Sequence, residues 1–395
     1  MTTRSLNIST RAVFAATWIP VLTFGAILTI PVFVGVLGKY YGMSDAALGR
    51  LSSAEFFACI VGTYVTNRKS IEQLACWVPW ACVLAGIANV AGAILVSRVP
   101  LILFHPLGAF GAGVSYGYVL KVIDVSGKQE RHFGTFMALF NLTMLGEFQL
   151  ITYTTNRYLP ASIFIVYAIL AFGALFISIA TRASLPQTTT AGATLAEVQR
   201  QTRISLAIIV SILALGVSYT AYGMIWPFVQ LMGVTRGFSA LNVANGLSAC
   251  AVTAIFGSVA AATLTPKVHR AAVFSIALCT LLGSIYMMYA APSYRLFFIG
   301  CAFFGFYWNF YLTLHLGMVA RADNTGRGIV LCAVAPSIGT VIGSFLGGML
   351  VEGANYLPSA RTGSILCIIG IACTLATMAR MKPVKMLVST PHVLS

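Results

Sequence analysis

The chain has 395 residues, of which 58% are hydrophobic and only 8% charged, with a mean hydropathy of +0.89 and a formal net charge of +15. So few charges cannot cover the surface of a water-soluble domain, and apolar runs of about 20 residues match the thickness of a bilayer core. Runs of that length also exclude a β-barrel, whose strands alternate and span only about 10 residues.

Helix 1 is expected at 12–38, helix 2 at 48–66, helix 3 at 73–96, helix 4 at 99–121, helix 5 at 131–153 and helix 6 at 159–181. The longest polar interval follows, at 182–203, with Pro186 and Gly192 in its turn-prone part and a helix-prone stretch at Thr194–Gln201. Beyond it come helix 7 at 204–232, helix 8 at 239–264, helix 9 at 270–291, helix 10 at 294–320, helix 11 at 328–350 and helix 12 at 359–380. The expected organisation is an N-terminal six-helix bundle at 1–181, a linker at 182–203 and a C-terminal six-helix bundle with a short tail at 204–395.

Charge sets the expected orientation. With the N-terminus inside, the outer loops hold Lys39, Arg50, Arg98, Arg157, Arg236, Arg295 and Arg361, and the inner side holds the rest of the 24 basic residues. Both termini and the linker are then cytoplasmic. No Lys/Arg-rich arm exists, so the basic excess does not point to nucleic acid. The nine cysteines form no CxxC pair and no Cys/His cluster, so neither a disulfide framework nor a metal site is expected. Arg4 and Arg11 precede an apolar run too long for a cleavable signal.

The two sides of the linker repeat one another. Pro31 and Pro227 are 196 residues apart, as are Leu51-Ser52 and Leu247-Ser248, and Arg131 and Arg327. Arg98 and Arg295, and likewise Gly108 and Gly305, are 197 apart. Parallel six-helix repeats imply two bundles facing each other across a central cavity.

Twelve helices, a 6+6 repeat, a polar central loop and inside termini resemble the major facilitator superfamily over the whole chain. That family carries a glycine, an aspartate and basic residues in the loop after helix 2. Here Gly62-Thr63-Tyr64-Val65-Thr66-Asn67-Arg68-Lys69 keeps the glycine and a basic pair, with Thr66 at the aspartate position and no second glycine. Helix 5 reads Leu145-Gly146-Glu147-Phe148-Gln149 and lacks the Gly-Pro signature of drug/proton antiporters. The resemblance implies rocker-switch alternating access, with substrate held at midplane between helices 1, 4, 7 and 10.

Only Glu55 and Glu147 among the nine acids lie well inside apolar runs. An ionisable group there is expensive and marks function by default, although a hydrogen-bonded carboxyl can also simply join helices. Counted from the outer helix ends, Glu55, Glu147 and His105 lie at one depth, roughly 9–10 Å in. The three are the proton-coupling candidates, and sequence fixes their depth but not their azimuth. Tyr219, Tyr222 and Trp226 share a face of helix 7 and are substrate candidates or packing. Thr23, Tyr116, Asn309 and Tyr311 complete the substrate set. Arg68, Lys69, His315, Asp323 and Arg327 are inner-gate candidates, with His315 equally readable as an interface residue. Gly339, Gly343 and Gly347 form a small-residue stripe on helix 11.

The expected function is secondary active transport of a small organic solute, coupled to protons. Multidrug or metabolite efflux and a non-transporting receptor are the alternatives. No Walker loop and no catalytic cluster point to an ATPase or another enzyme. No cofactor or metal is expected. The expected partners are a small-molecule substrate, protons and the lipid of a bacterial inner membrane, with the chain acting as a monomer. Without a well-buried Lys or Arg, a neutral, aromatic or cationic solute fits better than a strongly anionic one.

Overall fold

A computed structural model describes residues 9–182, 204–264, 268–323 and 327–378. The linker after Arg182 therefore lies outside the described residues, as do both chain ends. Among the described residues the architecture is helical throughout, and the one β-bridge, Glu352 with Asn355, closes a turn.

Twelve spans run in alternating directions between a linker end, where Arg182 and Leu206 lie, and a far end. Helix 2 is Asp45–Thr66, helix 3 Ile71–Leu95, helix 5 Gln129–Arg157 and helix 6 Ser162–Arg182. Helix 8 is Ala240–Leu264, helix 9 Arg270–Ala290, helix 10 Tyr294–Ala322, helix 11 Arg327–Leu350 and helix 12 Leu357–Met378. Local chemistry sets several ends. Ser44 caps helix 2 by accepting from the Ala47 N–H at 3.3 Å, and Ser70 and Gln73 form a reciprocal capping box on helix 3. Gly42 ends helix 1 with φ 63°, a left-handed conformation that glycine adopts without a Cβ penalty.

Helices 1 and 7 are expected as continuous rods, and the structure breaks both. Helix 1 consists of Thr10–Thr23, Gly25–Leu28 and Ile30–Tyr41. Helix 7 consists of Leu206–Ile225, a 3-10 turn at Trp226–Phe228, and Val229–Thr235. The repeat-related prolines account for the break of helix 1 at Thr29 and for that of helix 7. Pro227 has no N–H for the Gly223 carbonyl one turn back, and that carbonyl instead accepts from Ser344 Oγ of helix 11 at 3.4 Å. The next carbonyl, of Met224, accepts from Ser359 Oγ of helix 12 at 3.1 Å. Helix 4 also starts later than expected. A 3-10 turn at Leu101–Leu103 precedes the α-helix Pro106–Asp124, so His105 stands at its threshold.

The halves repeat in packing as well as in sequence. Helix 2 lies on helix 4 as helix 8 lies on helix 10, and helix 1 lies on helix 6 as helix 7 lies on helix 12. A Cβ on Gly62 would stand 2.2 Å from the Phe110 carbonyl, and one on Gly257 2.2 Å from the Phe306 carbonyl. Both contacts need bare glycine, and their positions differ by 195 (62 to 257) and 196 (110 to 306) residues.

Helix 2 meets helix 11 across the seam, and helix 5 meets helix 8, a pairing the repeat makes equivalent. These contacts gather toward the far end. Gly49 comes so close to Gly348 that an added Cβ would lie 2.7 Å from its Cα. Tyr356 donates to Asp45 Oδ1 at 3.3 Å, and Gln149 Nε2 donates to Asn245 Oδ1 at 3.0 Å and Ser248 Oγ at 2.8 Å. Among the described residues seven helices are long and apolar enough to cross a membrane. Their outward faces carry residues such as Ile94, Phe176, Leu213 and Tyr286.

Candidate functional site

Ionisable chemistry concentrates in the N-terminal half, around the breaks of helix 1. Glu55 lies ten residues from Asp45 at the start of helix 2, and Glu147 ten residues from Arg157 at the end of helix 5. Each is thus roughly 15 Å from the far end. Glu55 and His105 are each 1% exposed.

His105 Nδ1 lies 2.5 Å from Glu55 Oε1. Its other nitrogen, Nε2, faces Asn89 Oδ1 at 3.3 Å. Asn89 spends its amide N–H on the Ala85 carbonyl at 2.9 Å, so its oxygen is the end left for the ring. Nε2 is therefore the donor to Asn89, and Nδ1 shares one proton with Glu55. Imidazolium with carboxylate and imidazole with carboxylic acid are the two forms of that pair, and they hold the same number of protons. Glu55 Oε2 has no partner among the described residues. The pair is sealed by Phe33 of helix 1, stacked on the imidazole at 5.0 Å, and by Phe164 of helix 6, edge-on at 5.7 Å.

Glu147 stands apart from this pair. It is 3% exposed, and neither carboxyl oxygen has a hydrogen-bond partner among the described residues. A Cβ on Gly25 would lie 3.2 Å from Glu147 Oε1 and 2.9 Å from the Tyr167 ring, so the carboxyl rests over the broken part of helix 1. Tyr167 and Thr29 share a hydroxyl hydrogen bond of 2.5 Å, and Thr29 Oγ1 donates to the Gly25 carbonyl at 2.8 Å. The Tyr167 ring also meets Phe33 at 6.1 Å. Tyr167 therefore stands between the two acid positions. Gly146 is exposed, and a Cβ there would meet nothing within 4 Å beyond its chain neighbours.

The C-terminal half answers with aromatic and hydroxyl groups. Tyr222 stacks on Phe304 at 4.4 Å and neighbours Trp226 at 5.8 Å and Trp308 at 5.2 Å. Tyr219 donates to the Trp308 carbonyl at 2.7 Å. This cluster is buried between helices 7 and 10, and Trp226 crosses the seam to Phe148 at 6.4 Å. Tyr311 joins Ser218 at 3.1 Å and Thr374 at 3.3 Å, and His315 Nε2 follows at 3.4 Å from Thr374. His315 is fully buried within its own half rather than at an interface. Asn309 donates to the Ala254 carbonyl of helix 8 at 3.0 Å.

In the N-terminal half, Thr23 bonds back to the Ile19 carbonyl at 3.1 Å. Tyr116 packs with Phe24 at 5.3 Å and Phe136 at 5.7 Å. At the linker end, Arg68 is exposed and Lys69 lies over the Trp77 ring at 4.8 Å. Lys121 of helix 4 donates to the carbonyls of Asn67 at 3.0 Å and Lys69 at 2.5 Å, tying the helix 2–3 loop to its own half. Thr66, at the signature aspartate position, packs on Gly117. The Asp323 carboxyl lies beside Gly328 at the start of helix 11, and the side chain of Arg327 lies outside the described residues.

Sequence reading missed Asn89, Tyr167 and the helix-1 hydroxyl of Thr29. An amide within the apolar run of helix 3 was the available signal for Asn89. Nothing in the local pattern marked Tyr167, one of 16 tyrosines.

No family model matches the chain, and no curated protein matches its sequence. Solved structures do match. The nucleoside transporter NupG aligns with a TM-score of 0.73 at 12% identity, covering 94% of this chain and all of that one. A bacterial homologue of the human lysosomal transporter Spinster, inward-facing and unoccupied, aligns at 0.71 and 13%, covering 94% and 97%. The xylose transporter XylE from E. coli, in an inward-open conformation, aligns at 0.70 and 14%, covering 95% and 97%. At such low identity the likeness speaks for the fold: this is a multi-pass membrane chain with the twelve-helix fold of the major facilitator superfamily.

Proposed function

We propose that the chain is a secondary active transporter of a small organic solute, driven by protons and working by alternating access. The observation that carries this reading is Glu147, a buried carboxyl without a partner, resting on a broken helix that reaches the seam between the halves. A carboxyl in such a place can exchange a proton only when water reaches it. Rocking of the bundles changes its access to water, and that difference couples proton to substrate. The Glu55–His105 pair is the second proton-holding group in this scheme.

In the same reading, residues 1–181 and 204–395 rock as bundles about a cytoplasmic linker. The far end is the outer face, and seam contacts gathered there fit an inward-facing arrangement. Substrate lies between helices 1, 4, 7 and 10, against Tyr116, Tyr219, Tyr222, Trp226 and Tyr311, with Thr23 and Asn309 near its edges. Arg68, Lys69, Asp323 and Arg327 serve the inner gate, and His315, buried within its own half, does not. The aromatic wall and the lack of a buried Lys or Arg favour a neutral, aromatic or cationic solute. The nucleoside and xylose transporters among the structural neighbours set the first probes.

Purified protein reconstituted into liposomes tests the reading. Accumulation of a labelled nucleoside or D-xylose under an imposed pH gradient, abolished by a protonophore, is the expected result. Trp226→Ala should weaken substrate affinity. A chain that neither accumulates nor exchanges any small solute across a broad panel is not a transporter.

A further inference from the structure

At the far end a small cleft lies on the seam, between the distal pieces of helices 1 and 7, the last turns of helix 5 and the start of helix 8. Its cavity volume is about 30 Å³. The lining includes Thr152, Thr155 and Gln230, all at least nine-tenths buried. Thr152 Oγ1, Thr155 Oγ1 and Gln230 Oε1 have no hydrogen-bond partner among the described residues. Buried polar atoms without partners are rare in folded proteins, and three lining one cleft ask for an occupant. Gln230 reaches this place because residue 35 is glycine, where a Cβ would stand 2.3 Å from Gln230 Cγ.

The lining chemistry selects the class of occupant. The two threonine hydroxyls can donate, and so can the Gln230 amide after a half-turn, since its nitrogen and oxygen are interchangeable in shape. The rim carries exposed Lys39, its ammonium 4.7 Å from the centre of the Tyr40 ring, and Asn156, which accepts from the Tyr40 hydroxyl at 3.2 Å. No lining residue carries a carboxylate, which disfavours a cation. The volume is too small for a sugar or nucleoside and exceeds the roughly 10–15 Å³ that one water needs. We infer that the cleft binds a single monatomic anion of the halide class.

The site has walls from both halves, so it exists only while the far end is closed. A ligand that binds one arrangement alone stabilises that arrangement in proportion to its concentration. Halide therefore holds the far end shut. The binding assignment stands apart from the transport reading, whereas the holding of the far end rests on its alternating access.

The test uses the full purified chain. Thermal unfolding is followed in potassium bromide and in potassium gluconate at equal ionic strength, so that general screening cancels. Bromide should raise Tm in a saturable way. Thr152→Val with Thr155→Val should weaken that response by roughly tenfold or more, as expected on losing hydrogen-bond donors to a charged ligand. A crystal structure of the native chain grown in bromide should show an anomalous peak within hydrogen-bond distance of Thr152 and Thr155, a readout that needs no variant to fold. An ordered water alone at that position, or a bromide response equal to gluconate or unchanged in the double variant, overturns the assignment.

Discussion

The two halves share a backbone plan and divide the chemistry. Counting along the repeat, Glu55 answers to Ala251, His105 to Ala302 and Glu147 to Gly343. Gly343 could not carry a side chain at all, because a Cβ there would stand 2.2 Å from the Thr220 carbonyl. The C-terminal half has instead the Tyr222–Trp226–Phe304–Trp308 cluster and the Ser218–Tyr311–Thr374–His315 chain. Duplication thus preserved the close helix approaches that build each bundle. The buried side chains differ: Glu55, His105 and Glu147 lie in the N-terminal half, and the aromatic cluster lies in the C-terminal half.

The largest expected effect falls where the halves agree. Gly62→Val and Gly257→Val each drive a branched side chain into a carbonyl of the neighbouring helix. Each should cost about 3 kcal/mol, the upper end of overpacking. Thermal unfolding in detergent should show similar losses for the two, and a loss in one half alone would break the equivalence.

A comparable effect should appear only in the N-terminal half. His105→Leu leaves Glu55 buried without its partner, at a cost on the order of 3 kcal/mol. Adding Glu55→Leu should recover much of that loss, because both polar groups are then gone. Additive losses in this double-variant cycle would mean that the two side chains do not act as a pair.

The smallest effect belongs to the C-terminal hydroxyl chain. Tyr311→Phe removes hydrogen bonds to Ser218 and Thr374 and should cost about 1 kcal/mol. Because Tyr311 also lines the proposed substrate site, affinity can change, but the dependence of accumulation on the pH gradient should match the unaltered chain. A change in its pH dependence would place proton handling in both halves and erase the contrast.

Much of this plan is legible in the sequence. Apolar run length gives twelve spans, and the offset near 196 gives the repeat. Loop and cap residues such as Ser44, Ser70 and Gly42 place the ends within a few residues. Pro31 and Pro227 stand out as repeat partners, yet whether proline kinks or severs a helix depends on neighbours that absorb the freed carbonyls, such as Ser344 and Ser359. That Glu55 and Glu147 lie at a similar level is legible, although helices 2 and 5 extend past their expected ends and set both acids deeper than the roughly 9–10 Å expected, at about 15 Å. Azimuth is not, so the contact of Glu55 with His105 and the separation of Glu147 emerge only from packing. Gln149 adds polarity in sequence, and only the fold shows it bridging to Asn245 and Ser248.

The central claim is that an N-terminal carboxyl couples protons to substrate, and Glu147→Gln tests it most directly. The substitution keeps size and removes the ionisable group. Reconstituted in liposomes, the variant should bind substrate and exchange it across the membrane as the unaltered chain does, but fail to accumulate it under a pH gradient. Accumulation at the unaltered level, with the same dependence on the gradient, would contradict the account and leave Glu147 as a structural group.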